Sequence, residues 1–164
     1  MPDHNYVNIP LPSELAQHVL DFAIEAEHLI EREKDPHLTL KFATDGTYAA
    51  SKEALKDERP AKVRFGTLSI FQKPDSDVLK VEVTSADLHR LHRKLNRLPH
   101  DDSHPVYVPH VTVAYLVKGA GRHYAGKTVR RLTGRTATFR SAVFKSKDGH
   151  STEIPLEPEG TGDR

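Results

Sequence analysis

Apolar positions along this chain follow two alternating periods. Tyr6 to Leu11 alternates as a short strand, punctuated by Pro10 and Pro12. Leu15, Val19, Phe22, Ala26 and Leu29 then recur at steps of four and three. That spacing predicts one amphipathic helix, capped by Ser13 and ended at Asp35-Pro36. His37 to Phe42 returns to strand alternation. A weak helix or loop follows over 47–58, and Val63–Phe71 and Val78–Val83 read as an antiparallel hairpin turned at Pro74. Ser85 caps a second helix whose Leu88, Leu91, Leu95 and Leu98 share one face. A polar loop at 100–105 precedes a strand over Val106–Val117, and 118–126 is a glycine-punctuated loop. Thr136–Ser146 and Ser151–Leu156 close the chain as a hairpin around Asp148-Gly149, followed by a polar tail over 157–164 that frays.

The pattern repeats. Residues 6–42 and 79–115 are both strand–helix–strand units. They end in Pro36-His37-Leu38-Thr39-Leu40-Lys41-Phe42 and Pro109-His110-Val111-Thr112-Val113-Ala114-Tyr115. Two like units predict two lobes about a pseudo-two-fold axis, which brings equivalent residues face to face. The fold class is therefore α+β, a bilobal single domain over 1–156 with antiparallel sheets around a central groove.

Composition narrows the chemistry. Of 164 residues, 37% are hydrophobic and 29% charged, with no cysteine, so disulfides, thiolate nucleophiles and cysteine-based metal sites are excluded. No apolar run reaches the ~18 residues of a membrane-spanning helix and no signal-peptide pattern opens the chain, so a cytoplasmic protein is expected. Net charge is only +1, yet residues 103–147 contain no acid and nine Lys or Arg. Such a basic half favours a short phosphate-bearing ligand, while the near-neutral total argues against long duplex nucleic acid. A monomer acting on a small nucleotide or short oligonucleotide fits these features.

Histidine is unusually abundant, at eleven residues. A bare His-x-Thr arises about once by chance in such a chain, and His150-Ser151-Thr152 is read as incidental. The other two copies end a matched repeat and carry aliphatics at alternate positions. Strand alternation puts His37, Thr39 and Lys41 on one face, and His110 and Thr112 likewise, with Leu38, Leu40, Phe42, Val111, Val113 and Tyr115 towards the core. Two imidazoles across a groove supply a base and an acid near neutral pH, and two hydroxyls hold phosphate oxygens, without metal or cofactor. A symmetric motif does not say which histidine is which. Tyr6, alternating away from Val7, is placed to stack on a base, and Lys118 to flank the groove. His100, Asp101, Asp102 and His104 have metal-ligand chemistry but read as a solvated loop, and His89 and His92 as solvated helix residues.

The PHLTLKF and PHVTVAY segments resemble the paired His-x-Thr motifs of the two-histidine (2H) phosphoesterases, which include LigT-like 2′,5′ RNA ligases, cyclic phosphodiesterases and 2′,5′-oligoadenylate-cleaving enzymes. The likeness spans residues 6 to 156 and is nearest to short phage and bacterial proteins, some of which degrade cyclic oligonucleotide immune signals. It implies His37, Thr39, His110 and Thr112 as the catalytic set, a metal-free phosphodiesterase and a bilobal fold. Lys41 fills a slot that varies in that family. The alternatives are a module that sequesters a nucleotide without turnover, and a metal phosphohydrolase on the His100–His104 loop.

Overall fold

Residues 5–44, 47–97 and 107–157 are described in the computed structural model, in strand 41–44 for the backbone alone. In chain order the elements are β1 (Asn5–Pro10), α1 (Ser13–Leu20), β2 (Leu29–Arg32), β3 (His37–Thr44), α2 (Tyr48–Ala54), β4 (Ala61–Gln72), β5 (Ser76–Thr84), α3 (Ala86–Leu95), β6 (His110–Val117), β7 (Thr136–Phe139), β8 (Ser141–Lys145) and β9 (Ser151–Pro155). All strands join one sheet in the order β7-β4-β5-β6-β3-β1-β8-β9, with β2 beside β6, and every pairing is antiparallel.

That order is a palindrome of two four-stranded lobes meeting at β6 and β3. Leu38 and Val111, the same position of the repeat, pair with each other, so the pseudo-two-fold passes between them. The lobes also match rung by rung. On one side Pro10 pairs with His37, Asn8 with Thr39 and Val7 with Lys41. On the other Glu82 pairs with His110, Lys80 with Thr112 and Leu79 with Ala114. Both ladders skip one residue at the same repeat position, Leu40 in β3 and Val113 in β6. A skipped residue is a bulge, and it reverses the facing of the residues beyond it. Past Val113 the buried residues are Ala114 and Leu116, and Tyr115 turns into the groove instead of the core expected from simple alternation.

The two helical connections differ more than the strands. Ser85 caps α3, its Oγ accepting from Leu88 N at 3.0 Å and donating to Lys62 O at 2.6 Å, and Leu88, Leu91 and Leu95 are fully buried. The Ser13 helix is shorter than its apolar spacing predicts. Pro12 stands at the N-cap, no side chain caps it, and α1 stops at Leu20. The Arg32 guanidinium donates to the carbonyls of Leu20 and Phe22, closing the helix end. From there Phe22 and Ile24 pack on the core as alternate residues, Ala26 is exposed, and the chain becomes β2, pairing with β6. Strand pairing on the neighbouring lobe outweighs a helical stripe with no partner for its last turns.

The predicted strand over 136–146 is divided. β7 pairs with β4 at one end of the sheet, while β8 pairs with β1 and β9 at the other, and Arg140 alone joins them. Only two Cα–Cα steps of about 3.8 Å each separate Phe139 from Ser141. The sheet therefore curls until its two ends approach, which is the half-barrel that encloses the groove.

Candidate active site

The pairing of Leu38 with Val111 sets the geometry of the site. Leu38 and Val111 are almost fully buried, so their neighbours point to the opposite face. One step along an antiparallel ladder brings His37 towards Thr112 and Thr39 towards His110. All four line one groove of about 630 Å³, within the range of small-molecule sites.

Each imidazole is anchored in the same way. His37 Nδ1 donates to Asp35 O at 2.8 Å, and His110 Nδ1 donates to Val108 O at 2.8 Å. A carbonyl only accepts, so Nδ1 carries hydrogen in both rings and Nε2 remains for proton transfer. Burial pushes His110 below the ordinary imidazole range, and the positive charges of Lys80 and His37 push the same way against the Val108 hydrogen bond.

Several lining residues escape a motif search. Tyr107 Oη donates to Thr39 O at 2.8 Å, and His92 Nδ1 donates at 2.7 Å to Leu40 O, the carbonyl of the bulged residue. The two rings stack at 4.1 Å with planes 7° apart. His92, expected as a solvated helix residue, instead ties α3 to the motif strand β3. Burial raises the Tyr107 hydroxyl well above the ordinary phenol range, so it stays a donor. At the matching bulge, Val113 O accepts from Glu33 N at 3.0 Å.

Lys80 lies in the groove and donates to Ser69 Oγ at 2.7 Å. Burial lowers its pKa, partly offset by Glu82. Phe71, Val78 and Tyr115 form an apolar end of the groove, with Phe71 54% exposed and Lys73 Nζ 5.9 Å from the Tyr115 ring centre. Tyr6, at the ladder position matching Val78, lines the opposite end and stands across the ladder from Lys145.

The remaining sequence candidates separate. Lys118 does not line the groove. Its ammonium donates to Lys73 O at 2.6 Å and lies 3.6 Å from Asp77, whose other oxygen accepts from Gly119 N and Gly121 N. It fastens the β4–β5 turn to the loop after β6. Lys41 sits on β3 opposite Val7, and its side chain falls outside the described residues. So does the His100–His104 loop. Among the described residues the lysines lining the groove are Lys73 and Lys80, from the β4–β5 hairpin and not from the acid-free stretch. Lys80 was not detectable from sequence, because its place opposite Thr112 is set by the pairing of β5 with β6.

The sequence profile described as the 2′-5′ RNA ligase superfamily matches residues 11–150. No curated protein matches the chain. Among solved structures it is similar to TT0787 of Thermus thermophilus, at TM-score 0.62 and 17% identity over 94% of this chain and 98% of that one. It is similar also to Kluyveromyces marxianus Usb1 with uridine monophosphate, at TM-score 0.59 and 11% identity over 93% and 97%. A third, E. coli LigT complexed with phosphate, gives TM-score 0.54 and 17% identity over 95% of each. With the profile covering most of its length and the paired motifs on matched strands of that fold, the chain belongs to the 2′-5′ RNA ligase superfamily, the two-histidine phosphoesterases.

Proposed function

We propose that the protein is a metal-independent phosphodiesterase acting on RNA-type linkages, with His37 and His110 as its acid–base pair. The observation that carries this reading is the matched anchoring of the two imidazoles, each held by Nδ1 with Nε2 left for proton transfer in one groove. In hydrolysis of a 2′,3′-cyclic phosphate, water attacks phosphorus and gives its proton to one Nε2. The bond to the leaving ribose oxygen breaks, and that oxygen takes a proton from the other Nε2. For a 2′–5′ linkage the neighbouring 3′-hydroxyl replaces water and a cyclic phosphate is released. Thr39 and Thr112 hold the non-bridging oxygens where charge develops.

The shape of the groove favours a small nucleotide or short oligonucleotide. Tyr6 at one end and Phe71 with Tyr115 at the other provide faces on which bases stack. The likeness to structures of Usb1 with uridine monophosphate and LigT with 3′-AMP supports a nucleotide-sized ligand. Cyclic oligonucleotide signals are within the same chemistry.

The test is a panel of 2′–5′, 3′–5′ and cyclic nucleotides with product masses recorded, run with and without EDTA. Cleavage that survives EDTA and disappears in both His37→Ala and His110→Ala is the expected result. A ligand recovered unchanged after long incubation would identify a sequestering module instead. Activity lost to EDTA and restored by a divalent ion would refute the mechanism.

A further inference from the structure

We propose that Lys80 breaks the two-fold symmetry of the site: its ammonium holds a phosphate oxygen beside Thr112 and commits His110 to the base role, leaving His37 as the acid. The inference rests on the two-histidine reading above and adds a residue and an assignment that the symmetric motif cannot supply.

The matched ladders make the argument. Lys80 stands opposite Thr112, and Asn8 occupies the matching rung opposite Thr39. Their outer neighbours differ in the same sense. Across from Lys80 is Ser69, which accepts its hydrogen bond; across from Asn8 is Val143, and the buried Asn8 Oδ1 has no partner among the described residues. One threonine is therefore flanked by a cation and the other by a neutral amide. Ser69 is the one hydrogen-bond partner of Lys80 among the described residues, and an ammonium has three donors. Two remain for an anion in the groove. A half-buried ammonium is poorly solvated, so a phosphate oxygen gains more from it than from a lysine in water.

The same charge orders the histidines. Groups facing His110 are Lys80 and Glu82 from β5, His37 from β3, Glu33 ahead of β3, His92 from α3, and Tyr107 and Tyr115 from its own segment. Two facing imidazoles resist carrying two protons, and the lysine beside His110 makes that ring the less favourable seat for one. His110 then begins the reaction neutral, able to accept a proton from the nucleophile, which leaves protonation of the leaving oxygen to His37.

The test compares Lys80→Met, Lys80→Gln and Lys80→Arg in two measurements. NMR titration of the histidine Cε1–H signals should show His110 titrating at higher pH in Lys80→Met and Lys80→Gln, by more than His37 moves. Lys80→Arg should keep the original value. With 2′,3′-cyclic AMP, the two neutral variants should lose roughly a hundredfold in kcat/KM, and the acid limb of their pH profile should move up with His110. Lys80→Gln keeps a donor to Ser69, so it serves if Lys80→Met does not fold. Unmoved His110 titration, or equal movement of both histidines, would overturn the proposal. If His37→Ala and His110→Ala retain activity, the two-histidine reading itself fails, whereas inactive histidine variants beside a wild-type-like Lys80→Gln would remove Lys80 alone.

Discussion

The lobe built on β3 and the lobe built on β6 share a backbone and diverge in what they hang on it. Their ladders carry the same rungs, the same bulge and the same imidazole anchor two residues upstream. The rungs around Thr39 and His37 hold Asn8 and Pro10, which are neutral; those around Thr112 and His110 hold Lys80 and Glu82. The bulged carbonyl is taken by a His92 side chain in one lobe and by the Glu33 backbone N–H in the other. Duplicated geometry thus supplies two equivalent hands, and in the proposal above unequal charge gives each hand its own task. A reaction that needs an acid and a base at once gains from that division.

The largest expected effect tests whether both hands are needed. His37→Ala and His110→Ala should each lower kcat by roughly 10²- to 10⁴-fold on a 2′–5′ dinucleotide. They should then part on a diester with a p-nitrophenolate leaving group, which departs without a proton. His37→Ala regains most of its rate there and His110→Ala does not; rescue of both or of neither would erase the assigned asymmetry.

Next in size are the hydroxyls. Thr39→Val and Thr112→Val should each cost roughly a hundredfold in kcat, with smaller changes in KM. A pure KM effect would show that the threonines bind the ground state only. The pH profile sharpens the comparison further. A base works unprotonated, so kcat/KM falls as pH drops through the pKa of His110. That pKa lies below the ordinary 6.5, and the acid limb should lie there too. An acid limb above 6.5 would contradict His110 as the base.

Two smaller effects concern the scaffold. Tyr107→Phe leaves the Thr39 carbonyl without its donor and should lower unfolding stability by about 1 kcal/mol in urea titration, with a drop in kcat as β3 loosens. Ser85→Ala should cost about 1 kcal/mol because it removes a cap, whereas Ser13→Ala should cost no more than a few tenths. Equal effects at the two serines would mean that the helical connections are more alike than their caps indicate.

Local chemistry made much of this legible in the sequence. The strand alternation of both motifs, the hairpin of β4 and β5, and the cap and leucine stripe of α3 depend on neighbours a few residues apart, and they stand where the pattern predicts. The duplication itself announced the pseudo-two-fold. The failures share one cause. The α1 stripe continues to Leu29 in sequence, but the segment beyond Leu20 finds β6 and Arg32 instead. Tyr115 is in phase with the core until a bulge at Val113 reverses it. His92 looks solvated until Tyr107 and the Leu40 carbonyl, both distant in sequence, meet it.

The sequence by itself determined that two histidines and two threonines would stand on matched strands, because side-chain alternation and the repeat are both properties of the chain. Only the tertiary structure decided which lysines share their groove, since Lys118 is closer in sequence to the second motif than Lys80 and yet faces Asp77. Sequence distance does not measure electrostatic distance. Ladder register does, because it sets Lys80 directly opposite Thr112.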